Sequence, residues 1–208
     1  MTNFLRFSRA GLTAALIAIV PALPACGQES VDVLGAADLL ERFKSSNFQI
    51  AQEARQAIRG IARSDARGPR ADTLVAGLSR LADDPESSAW HAHAIGVLVE
   101  FAASGRPGME ATLIRLADVS EPSRMMLLNM VDRLEASPAV VNFLVRTAVS
   151  ESRLAPDALY ALARTGEKGQ AALRRLHADG SVSSPVARSE LVRMAKRDFK
   201  PDRPPERP

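Results

Sequence analysis

Few residues of this chain are of a type that does chemistry, and their spacing limits what they can do. Cys26 is the only cysteine among 208 residues, so the chain can form no internal disulfide and no cysteine pair for zinc. It lies in "VPALPACGQE" (20–29), between an apolar run and a polar stretch. His91 and His93 lie in "AWHAHAIG". Two residues apart on a helix, they point to different sides, and Glu100, seven after His93, adds only a second ligand to that face. Trp90, beside them, is expected to pack against a neighbouring helix. Asp83-Asp84 with Glu86, and Asp118 with Glu121, fall at expected helix junctions, where acids suit the helix dipole. The hydrolase, metalloprotease, P-loop and dinucleotide motifs (G-x-S-x-G, H-E-x-x-H, G-x-x-x-x-G-K, G-x-G-x-x-G) are all missing. The sequence therefore predicts no catalytic residue, no metal site and no cofactor, and it does not read as an enzyme.

The elements that position these residues are helical. From Ala36 to about Phe199 the chain is rich in Ala, Leu and Arg, all strong helix formers. Apolar residues recur at helical spacing, as in Ile50, Ala54, Ala57, Ile58 and Ile61, then Leu74, Leu78 and Leu81. Asp84-Pro85, Ser137-Pro138 and Ser184-Pro185 each read as an N-cap followed by proline at the first helical position. Gly105 and Gly166 read as helix stops.

Segments of this helical region repeat. "AIRGIAR" (57–63), "DALYALAR" (157–164) and "SELVRMAK" (189–196) share a pattern that "IGVLVEFA" (95–102) and "NMVDRLE" (129–135) fit more loosely. Second helices follow at "LSRLADD", "LIRLADV", "FLVRTAV" and "LRRLHAD", with leucines 78, 113, 144 and 173, in steps of 35, 31 and 29 residues. One helix pair per such period marks an α-solenoid. The pattern resembles HEAT repeats of the short bacterial kind, most clearly in "PDALYALARTGEKGQAALRRLHADG" (156–180). The resemblance implies an all-α superhelix of about four helix pairs over 36–199. The segment 36–44 would be the N-terminal cap, and 186–198, with Arg188, Arg193, Lys196 and Arg197, the C-terminal one. A non-repetitive helical bundle is the alternative.

Arginine recurs two residues after each of those leucines, at Arg80, Arg115, Arg146 and Arg175. In HEAT-like solenoids the second helices line the concave face, and equivalent positions would stack as a ladder of guanidinium groups. Guanidinium forks suit carboxylates and phosphates, so the ladder would receive an acidic segment of a protein partner or an anionic glycan. The competing account is local: Arg80 with Asp83 or Asp84, Arg115 with Asp118, and Arg175 with Asp179 are spaced to pair within one helix. Arg146 has only Val149 and Ser150 at those positions. Met125, Met126 and Met130, at helical spacing, read as core filling.

Arg6 and Arg9 precede the apolar run AGLTAALIAIVPAL, which is too short to span a bilayer and is interrupted by proline. A basic start, a short apolar middle and small residues describe a secretory signal peptide, with a buried first helix as the alternative. Leu23-Pro24-Ala25-Cys26 resembles the lipobox of bacterial lipoproteins, with Pro24 the less usual member. That resemblance implies cleavage before Cys26 and a diacylglycerol on its thiol, hence palmitate-type acyl chains as a membrane anchor. Cleavage after an A-x-A-like site, leaving a free thiol, is the other possibility. Gly27, where inner-membrane lipoproteins often carry Asp, points to the periplasmic face of the outer membrane. Residues 26–35 would be the lipidated N-terminus and its short leash.

Loss of residues 1–25 would leave 25 basic and 24 acidic side chains, a net charge of +1. That near-neutrality excludes a nucleic-acid role. "KPDRPPERP" (200–208) reads as a disordered Pro/Arg-rich tail. The expected function is a membrane-anchored scaffold for an unidentified protein partner. An accessory or lyase-like enzyme subunit, or a structural envelope protein, is the alternative.

Overall fold

The computed structural model describes residues 35–150 and 153–199, and among these every regular element is helical. All described residues belong to the unit that begins at Val31. Residues 1–34 and 200–208, which hold the expected signal segment, Cys26, most of the expected leash and the expected tail, lie outside the described residues.

Among the described residues ten α-helices follow one another: α1 (Ala36–Phe43), α2 (Phe48–Ser64), α3 (Pro69–Asp83), α4 (Ser88–Ala103), α5 (Met109–Ala117), α6 (Glu121–Met130), α7 (Pro138–Val149), α8 (Ala155–Arg164), α9 (Gly166–Asp179) and α10 (Pro185–Ala195). The all-α expectation holds. No helix among the described residues is long and apolar enough to cross a membrane.

The expected caps form. Ser137 Oγ accepts from the Val140 N–H at 3.3 Å, and Ser184 Oγ from the Ala187 N–H at 3.4 Å. Asp84 Oδ1 accepts from the Glu86 N–H at 3.1 Å and starts a 3-10 turn, Pro85–Ser87, that leads into α4. Asn47 and Ser120 cap α2 and α6 in the same way. Each such cap stabilises its helix by about 1 kcal/mol. Gly105 and Gly166 lie at φ +76° and +70°, the left-handed conformation that ends a helix at low cost for glycine. One expected helix is shorter than its pattern. In "NMVDRLE" α6 ends at Met130, and Val131–Arg133 tightens into a 3-10 turn that buries Val131.

Helices of odd number contact one another in order, α1 with α3, α3 with α5, α5 with α7 and α7 with α9. Those of even number do the same, from α2 through α4, α6 and α8 to α10. The apolar faces of both series meet in one core that runs from Leu39 to Phe199. Fully burying a leucine or isoleucine such as Leu74, Ile95 or Leu98 contributes roughly 1.5–3 kcal/mol. In α4 every residue from Ala94 to Phe101 is buried, the mark of a helix enclosed on all sides. Met126 and Met130 of α6 close over Gly96, where an added Cβ would lie 3.5 and 3.7 Å from their sulfurs. The methionines are thus partly buried packing against the core.

His91 and His93 point to different sides of α4, His91 buried and His93 exposed. His91 Nε2 lies 2.7 Å from the Asp84 carbonyl, which can only accept, so this nitrogen carries a proton. Its Nδ1 lies 3.1 Å from Ser120 Oγ. The imidazole therefore ties the turn before α4 to the cap of α6. Trp90 packs on Phe43 of α1, with ring centroids 6.3 Å apart.

Candidate functional site

Arg80, Arg115, Arg146 and Arg175 fall on α3, α5, α7 and α9, the series whose members touch in order, and all four are exposed. Arg115 does not make the pairing with Asp118 that spacing within one helix would suggest, and Arg146, which has no acid at that spacing, is paired all the same. Arg115 Nη1 donates to Asp83 Oδ1, on α3, at 2.9 Å, and Arg146 Nη2 donates to Asp118 Oδ2, just past α5, at 2.7 Å. Packed helices lie about 8–10 Å apart, within reach of an extended arginine. Each arginine therefore takes the acid at the end of the preceding helix of its series. This also accounts for Arg146, which has no acid of its own three or four residues on. The four side chains are 44–61 % exposed, so each pair adds at most about 1 kcal/mol.

The ladder opens at both ends. Arg80 lines a cavity of about 230 Å³ against α1, with Leu40, Glu41, Lys44 and Asp84, where Lys44 is paired to Glu41 at 2.7 Å. Gly77 allows that approach, since a Cβ there would lie 2.3 Å from Leu40 Cδ1. At the other end, Val149 holds the place on α7 that Asp83 and Asp118 hold on α3 and α5, so no acid on α7 reaches Arg175. Arg175 and Lys168, seven residues apart on α9, instead line a groove of about 490 Å³ between α7 and α9. Val141, Val145 and Val149 from α7 and Ala171, Ala172 and Leu176 from α9 supply its apolar lining, and Asp179 and Ser181 stand in it as well. Valine and alanine side chains are too short to close the space between the two helices. Neither Lys168 nor Arg175 makes an ion pair among the described residues.

No protein-family model matches this chain, and neither does any curated protein or solved structure.

An apolar strip flanked by two cations that make no ion pair among the described residues suits an amphipathic, acidic ligand. Of the four predicted arginines, the structure sets two in ion pairs and leaves two beside cavities. Lys168 is a site residue that the sequence pattern of arginines passes over. Its signal lies in the second helices: Leu-x-Arg-Leu-Ala-Asp at 78–83 and 113–118 becomes Leu-Val-Arg-Thr-Ala-Val at 144–149. The loss of that aspartate marks where the ladder lets go of its next arginine.

Proposed function

We propose that the protein is a lipid-anchored envelope scaffold that binds an acidic, amphipathic segment of a partner protein in the groove between α7 and α9. In this reading Cys26 carries the lipid at the periplasmic face of the outer membrane. The helix pairs α2–α3, α4–α5, α6–α7 and α8–α9 form a HEAT-like solenoid between the end helices α1 and α10. The order of contacts supports this, because stacked two-helix units bring each helix against the one two places further along. The observation that carries the binding function is Arg175: equivalent in position to two ion-paired arginines, it makes no ion pair among the described residues and lines a largely apolar groove. An acidic segment would complete the series by supplying the missing carboxylate.

A photo-crosslinking amino acid at Val145, introduced in cells, is expected to capture a protein whose crosslinked peptide is acidic. The same probe at Gln56, on α2, should not capture it. Lys168→Glu with Arg175→Glu should reduce the capture by about tenfold or more, the scale of two lost charge contacts, whereas Arg115→Glu should leave it largely intact. Equal capture from Gln56, or capture indifferent to the charge reversal, overturns the reading. The anchor is tested separately with an alkyne-tagged fatty acid. The wild-type chain should take up label and Cys26→Ser should take up none; an unlabelled wild type removes the lipoprotein part.

A further inference from the structure

A second cationic cluster lies on the even-numbered series, away from the arginine ladder. Arg55, Arg59 and Arg63 stand four residues apart along α2, so they form one ridge. Helix α4 packs against α2. Arg63 meets an acid there, its Nη2 lying 3.4 Å from Glu100 Oε2. Seven residues earlier on α4, two helical turns back, the residue is His93 rather than an acid. Arg55 and Arg59 therefore face an imidazole.

Arg55 is 7 % exposed. Its guanidinium lies over the rings of Phe43 and Trp90, 5.4 and 6.0 Å from their centroids. Cation–π contacts occupy the flat faces of a guanidinium and leave its N–H donors pointing outward along the edge. The Nε–H groups of both Arg55 and Arg59 are buried and find no acceptor among the described residues. Glu53, also on α2, is exposed and hydrogen-bonded to Gln49. The surroundings register the imbalance: burial, then Arg55 and Arg59, push the His93 imidazole below its ordinary pKa, and burial with Arg59 lowers that of Arg55. Buried donors and like charges gathered without a counter-ion are unfavourable unless something anionic joins them.

We propose that this face of α2 and α4 binds an anion of the phosphate class, held by the guanidinium edges of Arg55 and Arg59 and by His93. Two guanidinium forks match the several oxygens of a phosphate and offset its double charge, and the exposed imidazole adds a donor at the rim. Phe43 and Trp90 fix the Arg55 fork before the ligand arrives. The phosphate group could be free or belong to a phospholipid headgroup, and the experiment separates the two sources. This site shares no residue with the α7–α9 groove, so each stands or falls alone.

The test follows the arginine Nε–H signals of the full chain by nitrogen-15 NMR while inorganic phosphate replaces sodium chloride at constant ionic strength. The signals of Arg55 and Arg59, assigned through Arg55→Lys and Arg59→Gln, should shift saturably. Arg59→Gln and His93→Asn should each weaken phosphate binding by about tenfold or more, while Arg175→Gln leaves it unchanged. Circular dichroism melting of Arg59→Gln, whose side chain is only partly buried, confirms that the fold is intact. Vesicles of phosphatidic acid in phosphatidylcholine, against phosphatidylcholine alone, form the second arm. Binding to the former that Arg59→Gln abolishes identifies the headgroup as the source; saturation by phosphate without such binding identifies a free phosphate. Shifts that chloride reproduces, shifts that Arg59→Gln does not alter, or no response in either arm overturn the proposal.

Discussion

Replacing Gly169 with alanine is expected to destabilise the protein by about 3 kcal/mol, the upper part of the range for forcing an extra carbon into a packed site. Helix propensity alone predicts the opposite, since alanine is favoured over glycine within a helix by about 1 kcal/mol. The packing of α8 on α9 decides the sign. A Cβ on Gly169 would lie 2.0 Å from the Leu162 carbonyl oxygen and 2.0 Å from Thr165 Oγ1. The carbonyl belongs to the backbone and cannot rotate away. It also accepts from Thr165 Oγ1 at 2.8 Å and from the Thr165 N–H at 3.1 Å, bonds that close the end of α8. To make room, α8 must move by more than 1 Å, and Leu159, Ala161 and Leu162, all buried, must move with it. Gly60, exposed in α2 with nothing near its missing Cβ, is the internal comparison. Gly60→Ala should stabilise by about 0.5–1 kcal/mol. Urea unfolding followed by circular dichroism should therefore move the two midpoints in opposite directions. If both variants move upward, the close approach of α9 to α8 is wrong.

Both glycines fall inside helical patterns, Gly60 in mid-helix and Gly169 one turn after the stop at Gly166, and neither position shows in the sequence what faces it. What separates them is which backbone lies across the helix, and helical periodicity carries no information on that. The same boundary runs through the rest of the molecule. Helix positions were legible because each rests on local chemistry, such as the serine–proline starts at Ser137 and Ser184 and the left-handed Gly105 and Gly166. The series of arginines was legible too, because it rides on the leucine repeat. Their partners were not, since Arg115 reaches Asp83 and Arg146 reaches Asp118 across 32 and 28 residues. Those contacts depend on which helices stack, and local spacing suggests an acid on the same helix instead. Two local signals were available nonetheless. Val149 interrupts the aspartate that recurs at 83 and 118, and no acid follows Arg55 or Arg59 at a distance of three or four residues.

Glu100 provides the second large effect. It is the one charged residue in the fully buried stretch of α4, and its side chain is 8 % exposed. Two arginines hold it from opposite sides of α4 in the even-numbered series. Arg63 of α2 approaches Oε2 at 3.4 Å, and Arg133, in the turn after α6, donates from Nη1 to Oε1. The two sides of this cluster are unequal. Arg63 and Arg133 side chains are 65 % and 48 % exposed, so water can take over their hydrogen bonds if the acid is removed. The carboxylate has no such recourse, and an unpaired buried charge is strongly unfavourable. Arg63→Ala with Arg133→Ala should accordingly destabilise by about 3 kcal/mol, at the low end of what breaking a buried pair costs. Glu100→Leu should change stability by less than about 1 kcal/mol, because an apolar side chain of similar size suits the surroundings. The triple variant is the decisive measurement. If the penalty of the double variant arises from the stranded carboxylate, adding Glu100→Leu restores about 2 kcal/mol of it, a non-additivity well beyond that of independent sites. If the triple variant is instead no more stable than the double, Arg63 and Arg133 act through their own packing, and the carboxylate is not what joins α2, α4 and the turn after α6.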